Sequence, residues 1–452
     1  VSSGFDSRPL EEKVRETMVR FRVPGVAVGI LSGTDEYAAG FGVTSVEHPL
    51  PVDADTLFQI GSITKTVTGT AVMRLVEQGR LDLDAPVRTY LPDFALTDEN
   101  VAARVTLRHL LTHTGGWVGD YFDDLGDGDD ALARMVVSMA GLPQLTPLGQ
   151  VWSYNNAGFY LAGRLVELAA GKSYEAAARE LVLEPLGMTR STFFPADVIT
   201  HRVAVGHSVT EEAPAVIRRW PLPRTANAVG GLTSTVRDQL RYARFHLGDG
   251  RAPDGTRLLS ADSMRQMQSP QTSAECDDHW GLTWGLKDLA GTRAVRHGGA
   301  TAGFMASFVI IPARQFAVVV LTNAGTGGAL HVEVADWVLA HYLGLRAPEP
   351  PSLVMTGADL APYLGRYVSA LSDLELRLDD GQLTVHLIPK GGFPVKGSPA
   401  SPPPPPARAA FIGRDRLMVL EGLMKGRQGE FLRRADGSIA WLRSSRIHAR
   451  QN

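Results

Sequence analysis

The chain has 452 residues, is 44% hydrophobic and 21% charged, and carries a formal net charge of −3. Those values describe an ordinary globular protein, long enough for one large domain and a smaller one. The charge is near neutral with no long run of one sign and no apolar stretch of membrane-spanning length, which argues against nucleic-acid and membrane partners.

The sequence starts at Val1, and its first residues lack the apolar core of a signal peptide. A soluble protein is expected, cytoplasmic or exported after processing, with the compartment left open. Residues 10–21 have the spacing of an amphipathic helix, and an apolar run at 26–31 follows Pro24. A polar turn at Gly33-Thr34-Asp35 leads to a second apolar stretch ending near Gly42, so a hairpin follows the helix. Helical spacing returns over 62–79, through Val67, Val72, Met73, Leu75 and Val76. Residues 80–250 are rich in helical patterns, such as 157–170 and 174–183. The short β-branched segments 305–312 and 316–322 predict paired strands, and 336–343 a terminal helix. Strands at both ends with helices between predict an α/β fold: a sheet domain over 1–346 carrying a helical subdomain at about 80–250.

A linker over 347–354 opens with Ala347-Pro348-Glu349-Pro350-Pro351. After it, Leu374, Leu376 and Leu378 alternate with charged residues up to the turn Asp379-Asp380-Gly381, and Leu383, Val385 and Leu387 resume the pattern, as a hairpin does. The run Pro402 to Pro406 requires an extended loop. Residues 355–452 therefore read as a small antiparallel β domain, barrel-like, and the chain shows no internal repeat.

Three segments carry chemistry. In Phe58-Gln59-Ile60-Gly61-Ser62-Ile63-Thr64-Lys65, Ser62 falls at the first turn of a helix, where free N–H groups favour a developing anion. Lys65, three residues on, shares that face, and if buried its neutral amine can accept the serine proton. It completes the one Ser-x-x-Lys of the chain. Ser153-Tyr154-Asn155-Asn156 stands just ahead of a helix; a phenol beside a cationic lysine can have its pKa lowered and shuttle protons, and Asn156 offers an amide to a substrate carbonyl or to Lys65. His297-Gly298-Gly299-Ala300 precedes Thr301-Ala302-Gly303-Phe304 and a strand. Its glycines permit close approach of a ligand or backbone, and the Ala300 N–H paired with that of Ser62 makes a two-donor oxyanion hole. Taken singly, each segment also fits a structural role: a helix cap, an N-cap with a packed aromatic, a glycine-rich turn.

In this order the three segments resemble the penicillin-recognising serine hydrolases of the class C β-lactamase branch, which also holds carboxylesterases, D-aminopeptidases, D,D-carboxypeptidases and acyltransferases. The stretch from Val105-Thr106-Leu107-Arg108-His109 to His113-Thr114-Gly115-Gly116 and the stretch Ala228-Val229-Gly230-Gly231-Leu232-Thr233-Ser234 extend the resemblance over about residues 8–345. It implies a β-lactamase-like antiparallel sheet flanked by helices beside a helical subdomain, with a C-terminal β domain as in several relatives. It further implies Ser62 as nucleophile, Lys65 and Tyr154 as the proton-transfer pair and Asn156 as an orienting amide. His297, with Gly298 and Gly299, stands at the third-motif position, where β-lactamases usually have lysine. That difference ranks ester or amide hydrolysis above β-lactamase activity. The expected partner is a small ester, amide or peptide, with no metal and no organic cofactor; the oligomeric state stays open.

Trp117, Tyr121 and Phe304 are expected at the pocket wall, beside Gly298 and Gly299. An α/β-hydrolase elbow is rejected, because Gly206-His207-Ser208-Val209-Thr210 lacks the final glycine. His109 and His113 share a helical spacing, but no His-Glu-x-x-His accompanies it, so a structural role is expected. Cys276 is the single cysteine, which excludes an internal disulfide and, even with His279, a credible metal set. A D,D-carboxypeptidase, an acyltransferase and a sensor that holds its acyl group remain alternatives.

Overall fold

In the computed structural model the N-terminal amphipathic segment forms α1 (Arg8–Phe21), and the apolar stretches after it form the hairpin β1 (Gly25–Ser32) and β2 (Asp35–Gly42), with Val28 opposite Ala39. The structure describes residues 6–210, 213–220, 222–348 and 350–451. Val1, Glu349 of the linker and Asn452, named above, lie outside them. The chain leaves the sheet through α2 (Thr64–Glu77), α3 (Asn156–Ala170) and α4 (Val236–Leu247). It returns as β3 (Thr272–Ser273), β4 (His279–Trp280), β5 (Gly285–Leu289), β6 (Thr292–Thr301), β7 (Phe304–Ile311) and β8 (Phe316–Thr322), then closes with α5 (Gly327–Leu343). The order across the sheet is β2-β1-β8-β7-β6-β5-β4-β3, antiparallel throughout.

Alternation along the central strands sorts their side chains to two cores. Val26, Val28 and Ile30 of β1 join Val318 and Val320 of β8 against Leu10 and Val14 of α1 and Leu330, Val334 and Val338 of α5. Ala27 and Leu31 join Val319 and Leu321 on the other face, against α2, α3 and α4. With both faces covered, β1 is buried along all but its last residue, which is why it reads as a continuous apolar run. The stretch forming α4 falls within 80–250, yet it packs on β1 and β8. Gly29 permits that approach, since a Cβ there would lie 2.7 Å from Val236 Cγ2.

The terminal helix starts at Gly327, nine residues before the expected 336. Gly327 and Gly328 weaken the helical signal, but a Cβ at Gly327 would overlap the Thr322 side chain, so close packing on β8 sets the start.

Beyond the linker, eight antiparallel strands close a barrel: β9 (Gly365–Val368), β10 (Ser372–Asp379), β11 (Gln382–Pro389), β12 (Ala407–Gly413), β13 (Arg416–Val419), β14 (Gln428–Arg433), β15 (Ile439–Ser444) and β16 (Arg446–Arg450). Closure places Tyr367 opposite Arg450. The expected hairpin is β10–β11, turned by Asp380 and Gly381 at φ 51° and 76°, a pair suited to a two-residue hairpin loop. Tyr367, Leu376, Val385, Phe411, Phe431 and Leu442 fill the barrel. No helix among the described residues is long and apolar enough to cross a membrane.

Candidate active site

Gly61 holds φ +52°, a left-handed conformation open to glycine, and turns the chain from a short strand into α2. Ser62 lies in the 3₁₀ turn Gly61–Ile63 that leads into that helix, and Lys65 sits one turn on, fully buried. Lys65 Nζ is 3.0 Å from Ser62 Oγ and donates to Val229 O at 2.8 Å. Thr68 Oγ1 donates to Ala228 O at 2.7 Å and Thr64 Oγ1 accepts from Leu232 N at 3.2 Å. The 228–232 stretch is therefore the wall that α2 is pinned to, and its Val229 carbonyl orients the lysine. Burial holds the Lys65 ammonium well below the usual lysine value; the Arg446 charge adds to the effect and Asp120 opposes it. The neutral amine is favoured beside the serine hydroxyl.

Asn155 caps α3, its Oδ1 accepting from Gly158 N at 2.8 Å. That cap projects Tyr154 and Asn156 from the helix start. The Tyr154 ring centroid is 5.1 Å from Lys65 Nζ and 4.3 Å from the His113 ring centroid. Its hydroxyl is buried. Burial raises the phenol pKa above its ordinary value, with the Ser62 hydroxyl and Arg446 opposing. The expectation of a lowered phenol pKa is corrected on this point: the neighbouring lysine is desolvated, and so is the hydroxyl. Tyr154 is suited to donate a proton rather than to act as a phenolate. Asn156 Nδ2 donates to Asp120 Oδ1 at 2.7 Å, so a carboxylate fixes that amide.

His297 lies on β6, its ring 6.1 Å from that of Tyr154 and 5.7 Å from that of Trp280. Burial, with the Lys65 charge, pushes its pKa down to about 3; the imidazole is neutral and brings no fixed positive charge to the third-motif position. Along β6, Gly299 faces inward while Gly298 and Ala300 face outward. A Cβ on Gly299 would overlap Ile60 O and stand 3.2 Å from Ser62 N, and one on Gly61 would collide with Ala300 N. These two glycines let the backbone at Gly61–Ser62 pack closely against the backbone at Gly299–Ala300. Gly299→Ala is expected to destabilise the protein by about 1–3 kcal/mol through overpacking and to cut kcat about 10²-fold by displacing the Ser62 turn. Gly298→Ala, whose nearest atom is Ala306 O at 3.7 Å, is expected to be tolerated. Thermal melts and ester-hydrolysis rates of the two variants check the contrast.

Of the expected wall aromatics, Trp117 and Phe304 are buried in the core at 2% and 4% exposure, Phe304 edge-on to Phe58. Both belong to the core cluster that α2 and α3 share. Tyr121 is half-buried against the same core, its carbonyl accepting from the Tyr160 hydroxyl at 3.0 Å. His109 and His113 part company: His109 completes a capping box with Thr106, whereas His113 Nδ1 accepts from Asn155 N at 3.0 Å, behind Tyr154. Ser208 is exposed on a short strand. The described residues contain no cluster of His, Cys, Asp and Glu that fits a metal ion. Sequence reasoning missed Trp280, which packs on His113, Tyr154 and His297, and it missed Asp120 and Arg446. Arg446 comes from the terminal barrel, pairs with Asp120, and holds its guanidinium 5.1 Å from the Tyr154 ring centroid.

Residues 10–343 match the family model described as Beta-lactamase. The chain is 36% identical to Penicillin-binding protein 4 of Amycolatopsis lactamdurans over 376 residues, 80% of this chain and 98% of that one. It is 32% identical to Esterase EstB of Burkholderia gladioli over 70% of this chain and 91% of the esterase. Among solved structures, that of SurE with D-Leu is similar over 98% of this chain and 99% of its own, with a TM-score of 0.74 and 26% identity.

Proposed function

The chain belongs to the beta-lactamase family of serine hydrolases, and from that premise we propose that it cleaves an ester or amide through an acyl group carried on Ser62. The observation that carries this reading is the desolvated Lys65 amine 3.0 Å from the Ser62 hydroxyl. Ser62 Oγ attacks the substrate carbonyl carbon as its proton passes to Lys65, and the Ser62 and Ala300 N–H groups receive the oxyanion. Collapse of the tetrahedral adduct breaks the bond to the leaving alcohol or amine, which takes a proton from the Lys65/Tyr154 pair. Water then loses a proton to that pair and attacks the Ser62 ester; the acyl–Oγ bond breaks, the carboxylic acid leaves, and the pair returns the proton to Ser62 Oγ. These steps need no cofactor.

The neutral His297 supports an ester or amide over a β-lactam, whose carboxylate a cation would hold. The relative named an esterase supports the ester. The similar structure holding D-leucine supports a second reading, a peptide-like substrate with a D-residue at the scissile bond. Rapid mixing with p-nitrophenyl acetate, followed by intact-mass and peptide analysis, tests the central step. One acetyl group on the peptide containing Ser62 is expected, followed by sustained release of p-nitrophenol. Acetylation elsewhere overturns the assignment, and an acetyl group that never leaves makes the protein a sensor or an enzyme awaiting another acceptor.

A further inference from the structure

The turn between β15 and β16 reaches out of the barrel and is stitched to the segment that bears Tyr154. Ser445, at φ 60°, accepts through its carbonyl from Tyr154 N at 2.9 Å, and Ile447 N donates to Ser153 Oγ at 3.1 Å. Ser445 N also donates to the Glu275 carboxylate. Arg446 stands between these bonds. Its guanidinium pairs with Asp120 through Nε and through Nη2, the latter 3.1 Å from Oδ1, and lies over the Tyr154 ring. The same Asp120 Oδ1 accepts from Asn156 Nδ2. The Asp120 side chain is 4% exposed, so this carboxylate is held almost entirely by an amide from α3 and a guanidinium from the barrel.

We propose that Arg446, delivered by the terminal barrel, is a positioning residue of the active site, and that its ion pair with Asp120 fixes the Asn156 amide and the Tyr154 ring beside Lys65. The inference rests on the Ser62 reading above. A planar guanidinium engaging one carboxylate through two nitrogens sets orientation as well as distance, and removing the partly exposed Arg446 leaves the buried Asp120 carboxylate uncompensated. The two charges also act on Lys65 with opposite sign: Arg446 disfavours its ammonium form and Asp120 favours it. The other groups around the lysine are Tyr154, His113 and His297, the histidines held neutral by burial. Two further charges act on Arg446: Glu275, which favours its guanidinium form, and the like-charged Arg427.

The test is the pH dependence of kcat/KM for p-nitrophenyl acetate in the full chain and in Arg446→Ala, Arg446→Lys and Asp120→Asn, with thermal melts to establish folding. Arg446→Ala is expected to lower kcat about tenfold or more, with a smaller change in KM. Its acid limb is expected to move to higher pH, because a cation that opposed protonation of Lys65 is gone. Asp120→Asn is expected to move the limb the other way, and Arg446→Lys to leave it near the wild-type position while kcat falls. A packing role moves neither limb. Limbs that stay put, or that shift in the same direction, in folded variants overturn the inference. If Arg446→Ala does not fold, Asp120→Asn and Arg446→Lys still decide it. Activity that survives Ser62→Ala overturns the Ser62 reading and this inference with it. Unmoved limbs in an enzyme that does depend on Ser62 overturn the Arg446 role alone.

Discussion

Ser62→Ala is expected to lower kcat/KM for a short-chain p-nitrophenyl ester by about 10⁴-fold or more. The substitution removes the one atom that forms the covalent intermediate and leaves the substrate site in place. What remains is whatever the oxyanion donors and bound water achieve without a nucleophile. Stability is expected to change little, by about 0.5 kcal/mol at most, because Ser62 is half-buried and Lys65 keeps its bond to the Val229 carbonyl. The loss is then chemical rather than structural. Steady-state rates of wild type and variant, compared at matched folded concentration, check it, and equal rates sink the assignment.

The Ser62–Lys65 pair was legible because three residues on a helix bring side chains to one face; spacing permits the contact seen at 3.0 Å, and the Tyr154 and His297 segments singled it out from a helix cap. The buried central strands were legible for a similar reason: 26–31 and 316–322 are apolar runs whose residues face two cores in turn. Arg446 was not legible. It lies 326 residues from the carboxylate it pairs with, on a strand edge whose alternation reports only the barrel's own core. Asp120 sits in a loop without periodicity, and no local pattern distinguishes it from the other acids between residues 120 and 130. An aromatic near a motif carries no signal for which way it points; Trp117 and Phe304 are packed in the core. The Val229 carbonyl could be approached only through the glycine-rich stretch around it, since a main-chain acceptor has no signature of its own. Local chemistry within one turn of helix was thus readable, and chemistry assembled by docking one domain against another was not.

Lys65→Met carries the second large effect. Activity is expected to fall about 10³-fold, within the range lost with a positioned general base, and the acid limb of kcat/KM is expected to disappear. The sign follows from the environment of the amine. Burial and the Arg446 charge lower the Lys65 pKa in the folded protein well below 10.5, so the wild type loses activity as pH falls through that lowered value and the base takes up a proton. Methionine has no such step. The same linkage acts on stability: between the folded value and 10.5 the unfolded chain binds the proton and the folded chain does not, so wild-type stability rises with pH across that window. At neutral pH the buried amine is therefore a cost, and the methionine variant is expected to melt no lower than the wild type, with a gain of about 1 kcal/mol where the lost Val229 bond does not offset it. Lys65→Arg separates the base from the charge. A guanidinium keeps the cation but does not deprotonate at any working pH, so an arginine variant that folds is expected to be as inactive as the methionine one. Substantial activity in Lys65→Arg, measured across the pH range, would show that the charge suffices and that another group removes the Ser62 proton.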